Sequence, residues 1–383
     1  MVSYVSGIGF TKVGRHYELS LADLAREAAV RALEQAGVDG VDALVVSNLF
    51  ADALQGESML GPLVLEELGF AGAQVLSVGG GEASGLLAVH VARSLVESKM
   101  ARDVLVVGVE KLSDASSAAH ASLLERLVSA DYEGIYGVNL AALYALAAAE
   151  YMRRFSVSEE LLALWPVLMH EHSLNAQHGQ LRFKLTVERV LGSEPLSPPL
   201  RQFHAHQPGD GAAALLISSE SSRAPKEARL AELLYTASAG GPLEYSLRKD
   251  PVWFETVAVL TRAMLSAENL EPRKIDLVEV TDSYSIGGPL CVEAMGLSER
   301  GRTLRDVAEG RFGFGDRPTL NVAGGVKARG HPYGATGVYQ VAEIVSAMHG
   351  IYGVKQLSGT EFGVAVAIGG YAAVAAGALL RRT

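Results

Sequence analysis

The amino-acid sequence predicts an α/β fold made of two duplicated halves, with a loop domain inserted into the first half. Three observations indicate this fold: amphipathic helical segments alternate with apolar strands, one set of these elements recurs in the same order, and a segment of different composition interrupts the first copy. Strands that are apolar on both faces are typical of parallel sheets with helices on both sides. Each half is therefore expected to be a compact α/β unit with right-handed crossover connections.

The first recurring unit is a helix followed by a strand. Residues 21–48 and residues 253–282 each contain apolar positions three to four apart, then a short polar turn, then an aspartate that opens an apolar strand.

The second recurring unit is a helix that begins at a glycine-rich turn. Residues 77–96 match residues 329–348 through the motifs Ala-Ser-Gly at 83–85 and Ala-Thr-Gly at 335–337. A strand follows each helix, at residues 103–109 and 363–368. Elements that recur in one order indicate an internal duplication.

A segment of different character separates the two copies. Residues 112–197 contain a Ser/Ala-rich stretch, a helical run over 140–155 and a loop rich in His, Gln and Arg. Inserted loops on a rigid scaffold often carry binding, so this segment could cover a site. The predicted division is an N-terminal half of residues 1–111 and 198–225, an inserted loop domain of residues 112–197, and a C-terminal half of residues 226–383.

Composition excludes several classes of protein. The 383 residues include 43 Asp and Glu against 33 Lys and Arg, which gives a net charge of −10, and 49% are hydrophobic. This composition is too apolar for a disordered chain and too acidic for a nucleic-acid partner. Cys291 is the only cysteine, so an intrachain disulfide and a cysteine-rich zinc site are excluded, which suits a cytoplasmic protein.

One apolar stretch is long enough to cross a membrane. Residues 362–380 carry no charged side chain, which alone would allow a membrane anchor. The Gly369-Gly370 pair between two β-prone runs favours two buried strands joined by a tight turn. The N-terminus lacks the basic flank and apolar run of a signal peptide, and no membrane partner is expected.

Two glycine-rich turns are candidates for a ligand site. Residues 79–85 and residues 330–337 each open a helix, whose first N–H groups and dipole stabilise negative charge. The alternative is that both are tight strand-to-helix turns without a ligand.

The second turn belongs to a longer motif. Residues 321–337 read NVAGGVKARGHPYGATG, which resembles the thiolase signature, an Asn-x-x-Gly-Gly stretch followed by Gly-His-Pro-x-Gly-Ala-x-Gly. Four further segments resemble archaeal and sterol-carrier-type thiolases: 104–113 (VLVVGVEKLS), 209–214 (GDGAAA), 281–284 (TDSY) and 293–297 (EAMGL). The resemblance covers nearly the whole chain. It implies a thiolase-like fold, two α/β halves stacked as layered sheets around central helices, an insertion that binds coenzyme A, and a homodimer.

The chain departs from the thiolase pattern at the reactive positions. The family places a nucleophilic cysteine at the start of the buried helix of the first half, and this chain has Glu82 there. Where the family has its second cysteine, this chain has Ser283 or Ala367, and Thr281 stands at the position of a His or Asn. Cys291 lies in an apolar helix and is interpreted as a core residue rather than a nucleophile.

The remaining polar residues still suggest chemistry. His331 could donate a hydrogen bond to a thioester oxygen, or it could bond only to its own turn. Glu82 could be a general base or a substrate contact, because burial raises its pKa while the helix terminus lowers it. Asp282, Ser283, Tyr284 and Tyr333 are expected to supply further proton donors and acceptors.

The coenzyme A site is predicted from the resemblance alone. Four cations would hold the phosphates, Arg182, Lys184, Arg189 and Arg201, although scattered surface cations are the alternative. Four glycines are assigned to the same cofactor: Gly324, Gly325, Gly369 and Gly370. The pairs His170/His172 and His204/His206 have a spacing that a metal could use, but we interpret them as parts of solvated loops and predict no metal.

Three functions are compatible with the sequence. The first is cleavage of a β-hydroxyacyl-CoA without cysteine, as in thiolase-like aldolases that act with a small zinc-binding OB-fold partner. The second is a catalytically silent homologue that binds acyl-CoA or serves as a scaffold. The third is an acetyl-CoA C-acyltransferase, which the resemblance favours and Glu82 contradicts.

Overall fold

The computed structural model describes residues 2–383 and contains twelve strands and thirteen α-helices in that range. The strands are β1 (Ser3–Phe10), β2 (Ala43–Ser47), β3 (Gln74–Val78), β4 (Asp103–Glu110), β5 (Pro195–Ser197), β6 (Leu200–Arg201), β7 (Gly211–Ser219), β8 (Ala231–Gly240), β9 (Leu277–Val280), β10 (Thr319–Leu320), β11 (Phe362–Gly369) and β12 (Val374–Arg382). The helices are α1 (Leu21–Ala36), α2 (Ala51–Leu54), α3 (Leu60–Glu67), α4 (Ser84–Glu97), α5 (Ser117–Leu124), α6 (Leu140–Phe155), α7 (Glu159–Ser173), α8 (Val187–Leu191), α9 (Glu255–Ala267), α10 (Gly287–Ala294), α11 (Thr303–Ala308), α12 (Gly325–Arg329) and α13 (Thr336–His349).

The two halves have the same sheet topology, which confirms the predicted duplication. The first half has the strand order β3-β2-β4-β7-β1, and the second half has β10-β9-β11-β12-β8. The two five-stranded sheets join where β1 pairs with β8, through Tyr4 opposite Glu232 and Val5 opposite Ala231. Each strand of the first sheet therefore has a counterpart at the same position in the second sheet.

The sheets are mixed rather than wholly parallel, so the expectation of parallel sheets holds only in part. In each half three neighbouring strands run parallel, the fourth runs antiparallel to them, and the fifth runs antiparallel to the fourth. The connection from β11 to β12 contains only residues 370–373, which is too short for a crossover and gives an antiparallel pair.

The central layer consists of α4 and α13, which cross at two glycines. A Cβ atom on Gly85 would lie 2.8 Å from the backbone nitrogen of Gly337, so neither position has room for a side chain. The recurring Ala-Ser-Gly and Ala-Thr-Gly motifs are explained by this close approach. On the outer faces, α1 packs against β1 and β7, and α9 packs against β8 and β12.

The C-terminal apolar stretch forms the hairpin of β11 and β12, as the Gly-Gly pair predicted. The strands pair from Phe362 opposite Arg381 to Gly369 opposite Val374. Within residues 2–383, no helix combines the length and apolarity that crossing a membrane requires.

The insertion lies between the end of β4 and the start of β7. It contains α5 to α8 and the β5–β6 hairpin, and the helix predicted over 140–155 is α6. The predicted boundary at 197/198 falls between the two strands of this hairpin.

The prediction of a polar loop around residue 170 is wrong, because α7 continues to Ser173. Its apolar residues Leu162, Trp165 and Met169 recur at helical spacing and are buried.

Candidate active site

The two glycine-rich turns meet in the middle of the molecule. Glu82 lies in the turn that leads into α4, and His331 lies in the turn that leads into α13. Because these helices cross near their N-terminal ends, the two side chains face each other, with Glu82 Oε1 3.3 Å from His331 Nε2. Both side chains are almost completely buried. Each half of the molecule thus contributes one of the two groups.

Three groups surround the Glu82 carboxyl. Besides His331, the Ser283 hydroxyl donates to Oε1 at 3.1 Å, and the Gly370 N–H donates to Oε2 at 2.8 Å. Burial raises the pKa of Glu82 to about 7, although the bonds from Gly370 and Ser283 lower it. This carboxyl group therefore changes charge near neutral pH.

Gly370 can reach Glu82 because it is a glycine. It has a φ of +60°, and a Cβ atom there would lie 2.8 Å from the Leu127 carbonyl oxygen. Its neighbour Gly369 packs on the Gly80 carbonyl with equally little room. The tip of the β11–β12 hairpin is thereby held against the turn that carries Glu82.

His331 is a neutral imidazole with both nitrogens engaged. Nδ1 lies 2.8 Å from the Thr336 hydroxyl, while Nε2 faces Glu82 and also lies 3.3 Å from Ser283 Oγ. Burial lowers the pKa of His331 well below its usual value, and the nearby Arg329 and His120 lower it further. One nitrogen can therefore donate a hydrogen bond without carrying a positive charge.

Tyr333 stands between two histidines. Its hydroxyl group lies 3.0 Å from His120 Nε2 and 2.9 Å from His206 Nε2. The other ring nitrogen of His206 lies 2.9 Å from the Ser283 carbonyl oxygen. The ring centroids of Tyr333 and His331 are 4.2 Å apart, so this group adjoins the Glu82–His331 pair.

Sequence reasoning missed His120 and misassigned His206. His120 lies on α5 in the Ser/Ala-rich stretch, where no local pattern distinguishes it from a surface residue. It borders a cavity of about 460 Å³ that is also lined by Arg15, Tyr17, Ser116 and Gln207. Only the tertiary fold brings this cavity next to Tyr333.

Tyr284 and Thr281 lie beside the central group. The Tyr284 ring stacks on Tyr144 with centroids 4.9 Å apart, and it contacts the His206 ring edge to face. Burial raises the pKa of Tyr284, and the charge of Glu82 raises it further. The Thr281 hydroxyl is buried without a hydrogen-bond partner among residues 2–383.

Asp282 is directed into the supporting structure rather than toward Glu82. Its carboxylate accepts from Trp165 Nε1 at 2.9 Å and from the Lys327 backbone N–H at 3.3 Å. Burial raises the pKa of Asp282 to about 6, against the effect of these bonds. Gly325 packs on Asp282, and Gly324 packs on the Met169 carbonyl, so both glycines allow close packing here.

Glu110 is a second buried carboxyl group close to a glycine turn. It is the last residue of β4 and accepts from the N–H groups of Leu49, Phe50 and Gly334 at 3.0 Å each. Burial raises the pKa of Glu110 to about 7, as it does for Glu82. Glu110 thus fixes the turn that follows His331.

The predicted coenzyme A cations lie on the insertion. The Arg189 guanidinium stacks over Phe183 and Phe203, at 5.0 and 5.4 Å from the ring centroids. Arg201 donates to the Ser193 carbonyl at 3.1 Å, and Arg182 and Lys184 are exposed. Arg189 and Arg201 are therefore held in place by neighbours within the insertion, and Arg182 makes a longer bond of 3.5 Å to the Leu174 carbonyl.

Three of the four paired histidines, His170, His172 and His204, are buried, and His206 is half-buried, which corrects the interpretation of both pairs as solvated. His170 Nδ1 bonds to the Phe183 carbonyl at 3.1 Å, and His172 Nδ1 bonds to the Leu320 carbonyl at 2.7 Å. Burial lowers the pKa of His170 to about 3 and that of His204 to about 4. Across residues 2–383, no three His, Cys, Asp or Glu side chains converge as a metal site.

Cys291 is a core residue of α10. Its thiol is fully buried, and burial together with the Asp282 charge raises its pKa. A thiolate at this position is therefore strongly disfavoured.

Comparison with known proteins gives the family. The thiolase N-terminal domain matches residues 4–187, and the thiolase C-terminal domain-like model matches residues 243–382. Acetyl-CoA acetyltransferase of Methanocaldococcus jannaschii is 33% identical over 347 residues, which cover 89% of this chain and 88% of that protein. Sterol carrier protein 2 of Gallus gallus is 27% identical over 374 residues, 94% of this chain and 68% of that protein.

The same fold occurs in a solved aldolase. The Ltp2-ChsH2(DUF35) aldolase superposes with a TM-score of 0.85 at 20% identity, over 100% of this chain and 98% of that one. Two family models that together span most of the sequence, and an archaeal relative above 30% identity, agree with the duplicated topology. The chain belongs to the thiolase family.

Proposed function

We propose that this protein binds a coenzyme A thioester and cleaves the bond between the α and β carbons of a β-hydroxyacyl-CoA, without a cysteine nucleophile. One observation carries the proposal: the side chain that faces His331 is the carboxyl group of Glu82. The motif resemblance assigns this position to the reactive cysteine of thiolases. A carboxylate is a poor acyl carrier, whereas a retro-aldol cleavage needs no covalent intermediate. The archaeal relative is named for an acetyl-CoA reaction, which supports a coenzyme A thioester as the substrate.

The reaction would begin with loss of the proton from the β-hydroxyl group, which Tyr333 accepts. The bond between the α and β carbons then breaks, and its electron pair enters the thioester as an enolate. A proton returned to the α carbon completes a shorter acyl-CoA, while the β carbon leaves as an aldehyde or ketone. Protons balance, because one is taken from oxygen and one is given to carbon.

Two donors are positioned for the enolate oxygen. His331 Nε2 and the Gly370 N–H both point at the Glu82 carboxyl, and a thioester oxygen beside that carboxyl would meet the same donors. Glu82 assists in its protonated form, since a carboxylate would repel the developing negative charge. A pKa of about 7 makes that form available at neutral pH.

Partners follow from the same proposal. The aldolase of similar fold is named as a complex with a DUF35 protein, and we propose a small zinc-binding OB-fold partner for this chain. We also propose a homodimer through β3, which lies at the outer edge of the first sheet with its apolar side chains half exposed. Light scattering of a dimer would give twice the chain mass of 40.4 kDa.

The test is an assay with 3-hydroxyacyl-CoA thioesters, with and without a co-expressed OB-fold partner, that detects the carbonyl product and the shorter acyl-CoA by mass spectrometry. We expect cleavage, and little thiolysis of acetoacetyl-CoA. Thiolysis at the rate of a cysteine thiolase would support the acyltransferase alternative instead. Calorimetric binding of acyl-CoA without turnover, with and without the partner, would support the silent homologue.

A further inference from the structure

We infer that His206 and His120 form an ordered hydrogen-bond relay around Tyr333, in which His206 receives the Tyr333 proton and His120 donates to the Tyr333 oxygen. The inference rests on the proposed cleavage for its role in catalysis. The direction of each hydrogen bond, however, follows from the contacts and the uncharged state of His206, and does not depend on the proposed cleavage.

The first bond in the relay fixes the tautomer of His206. Its Nδ1 lies 2.9 Å from the Ser283 carbonyl oxygen, and a carbonyl oxygen can only accept. Nδ1 therefore carries the hydrogen. His206 is neutral, since burial and the neighbouring His331 lower its pKa well below the usual value. Its Nε2 is consequently an unprotonated nitrogen with a lone pair.

The second bond follows from the first. The Tyr333 oxygen lies 2.9 Å from the bare Nε2 of His206, so Tyr333 must donate its only hydrogen there. The Tyr333 oxygen then faces His120 with lone pairs at 3.0 Å, and His120 Nε2 must donate to it. The reverse direction would place two lone pairs against each other at His206.

The relay explains how a buried tyrosine can accept a proton. Burial raises the pKa of Tyr333 well above its usual value, so a free tyrosinate is disfavoured. As the substrate O–H bond breaks and a new Tyr333 O–H bond forms, the original Tyr333 proton moves to His206 Nε2. The resulting imidazolium keeps its Nδ1–H bond to the Ser283 carbonyl. The same two transfers in reverse supply the proton for the α carbon of the enolate.

His120 has a different part in the relay. It lies half-buried on α5 and borders the cavity of about 460 Å³, so it connects the relay to that cavity. Its N–H bond to the Tyr333 oxygen holds the phenol in line with His206. His206 and His120 are positioning residues by this argument, because both act through Tyr333.

The tautomers can be measured without turnover. In protein labelled with ¹⁵N-histidine, protonated and bare ring nitrogens resonate far apart, and the variants His206→Gln and His120→Gln assign the signals. We expect His206 to be protonated at Nδ1 and His120 at Nε2. A spectrum with His206 protonated at Nε2 would overturn the relay, whether or not the protein cleaves a thioester.

The catalytic role has a kinetic test. His206→Gln keeps an acceptor for the Tyr333 hydroxyl but cannot take its proton, so kcat should fall about 10²–10⁴-fold with KM nearly unchanged. Tyr333→Phe should cost a similar factor, and the double variant little more. His120→Gln keeps an N–H donor and should retain most activity, whereas His120→Ala removes the hydrogen bond and should lower kcat about tenfold.

Two further readouts separate chemistry from folding. The solvent isotope effect on wild-type kcat should show that two protons move in the same step. In His206→Gln this two-proton contribution should disappear. The control is His349→Gln, which should leave kcat unchanged. His349 lies away from the site, and its Nε2 is 2.7 Å from the Leu230 carbonyl oxygen. Full kcat in folded His206→Gln would remove His206 from the relay. Absence of wild-type cleavage alongside the assigned tautomers would instead contradict the proposed function.

Discussion

Glu82 and His331 are 249 residues apart in the sequence, yet their side chains meet at 3.3 Å on the boundary between the two halves of the fold. The contact depends on the crossing of α4 and α13 at Gly85 and Gly337. It places a carboxyl group that titrates near neutral pH against an uncharged imidazole.

Replacing Glu82 by cysteine should create a reactive thiol. The position lies at the N-terminal end of α4, where the helix dipole favours a thiolate, and it faces His331. We expect Glu82→Cys, incubated with acetyl-CoA, to gain one acetyl group in intact-mass spectrometry. Wild-type protein should stay unmodified because Cys291 is buried, and acetylation of the wild type would show that this reasoning about Cys291 is wrong.

The pH dependence of cleavage should follow the protonation of Glu82. Its pKa of about 7 implies that the protonated form predominates below pH 7 and is lost above it. Wild-type kcat should therefore decline as pH rises through 7. Glu82→Gln, which is neutral at every pH, should lack this decline while retaining measurable activity. A decline of equal size in the variant would assign the titration to another group.

The same carboxyl group should affect stability. Burial raises its pKa from 4.5 to about 7, so the folded state holds a proton that the unfolded chain releases first. Stability from this group is fully present below pH 4.5 and is lost as pH rises to about 7, by on the order of 3 kcal/mol. Denaturant unfolding at pH 4.5 and pH 8 should show that Glu82→Gln gains stability relative to the wild type only at the higher pH.

The crossing of the central helices should tolerate no side chain. Gly85→Ala would put a methyl group 2.8 Å from Gly337 N, against backbone that cannot move away cheaply. We expect the free energy of unfolding to fall by about 1–3 kcal/mol, together with a loss of activity. Gly40→Ala, which has open space around it, is the matched control and should be nearly neutral.

The Trp165–Asp282 hydrogen bond should support the turn beneath the site. Trp165→Phe leaves the buried Asp282 carboxylate with one donor fewer, which should cost about 1–3 kcal/mol in denaturant unfolding. Trp253→Phe removes a bond of similar length, to Glu255 on the surface, and should cost less than 1 kcal/mol. Equal losses in both variants would contradict the supporting role of Asp282.

The fold was largely predictable because its signals are local and occur twice. Helical spacing in residues 21–36 and 255–267, and the recurring glycine turns, needed no knowledge of distant contacts. Glu82 and His331 each belong to a motif at the start of a helix, whereas their contact depends on the crossing of α4 and α13. The prediction of a solvated loop around His170 is wrong, because the apolar spacing of Leu162, Trp165 and Met169 continues α7 to Ser173.

The relay around Tyr333 could not be predicted in the same way. His120 stands among Ser and Ala residues on α5, and His206 belongs to a segment without helical or strand periodicity. Their distances from Tyr333 depend on how the insertion folds back over the second half. Side-chain contacts between distant segments leave no periodic trace in the sequence.

The hydrogen bonds of Glu82 and Glu110 show what the duplication provides. When the Ala-Ser-Gly and Ala-Thr-Gly motifs are aligned, Glu82 corresponds to Gly334. Glu110 is the last residue of β4, and β4 corresponds to β11, the strand that precedes Gly370. In one case the N–H of the turn glycine Gly334 donates to Glu110 at the end of a strand. In the other case the N–H of Gly370, just after a strand, donates to Glu82 in a turn. The molecule therefore contains an internal comparison: Glu82 and Glu110 are both buried, burial raises the pKa of each to about 7, and of the two only Glu82 faces an imidazole. Comparing Glu82→Gln with Glu110→Gln would separate the effect of a buried carboxyl group on stability from its effect on catalysis.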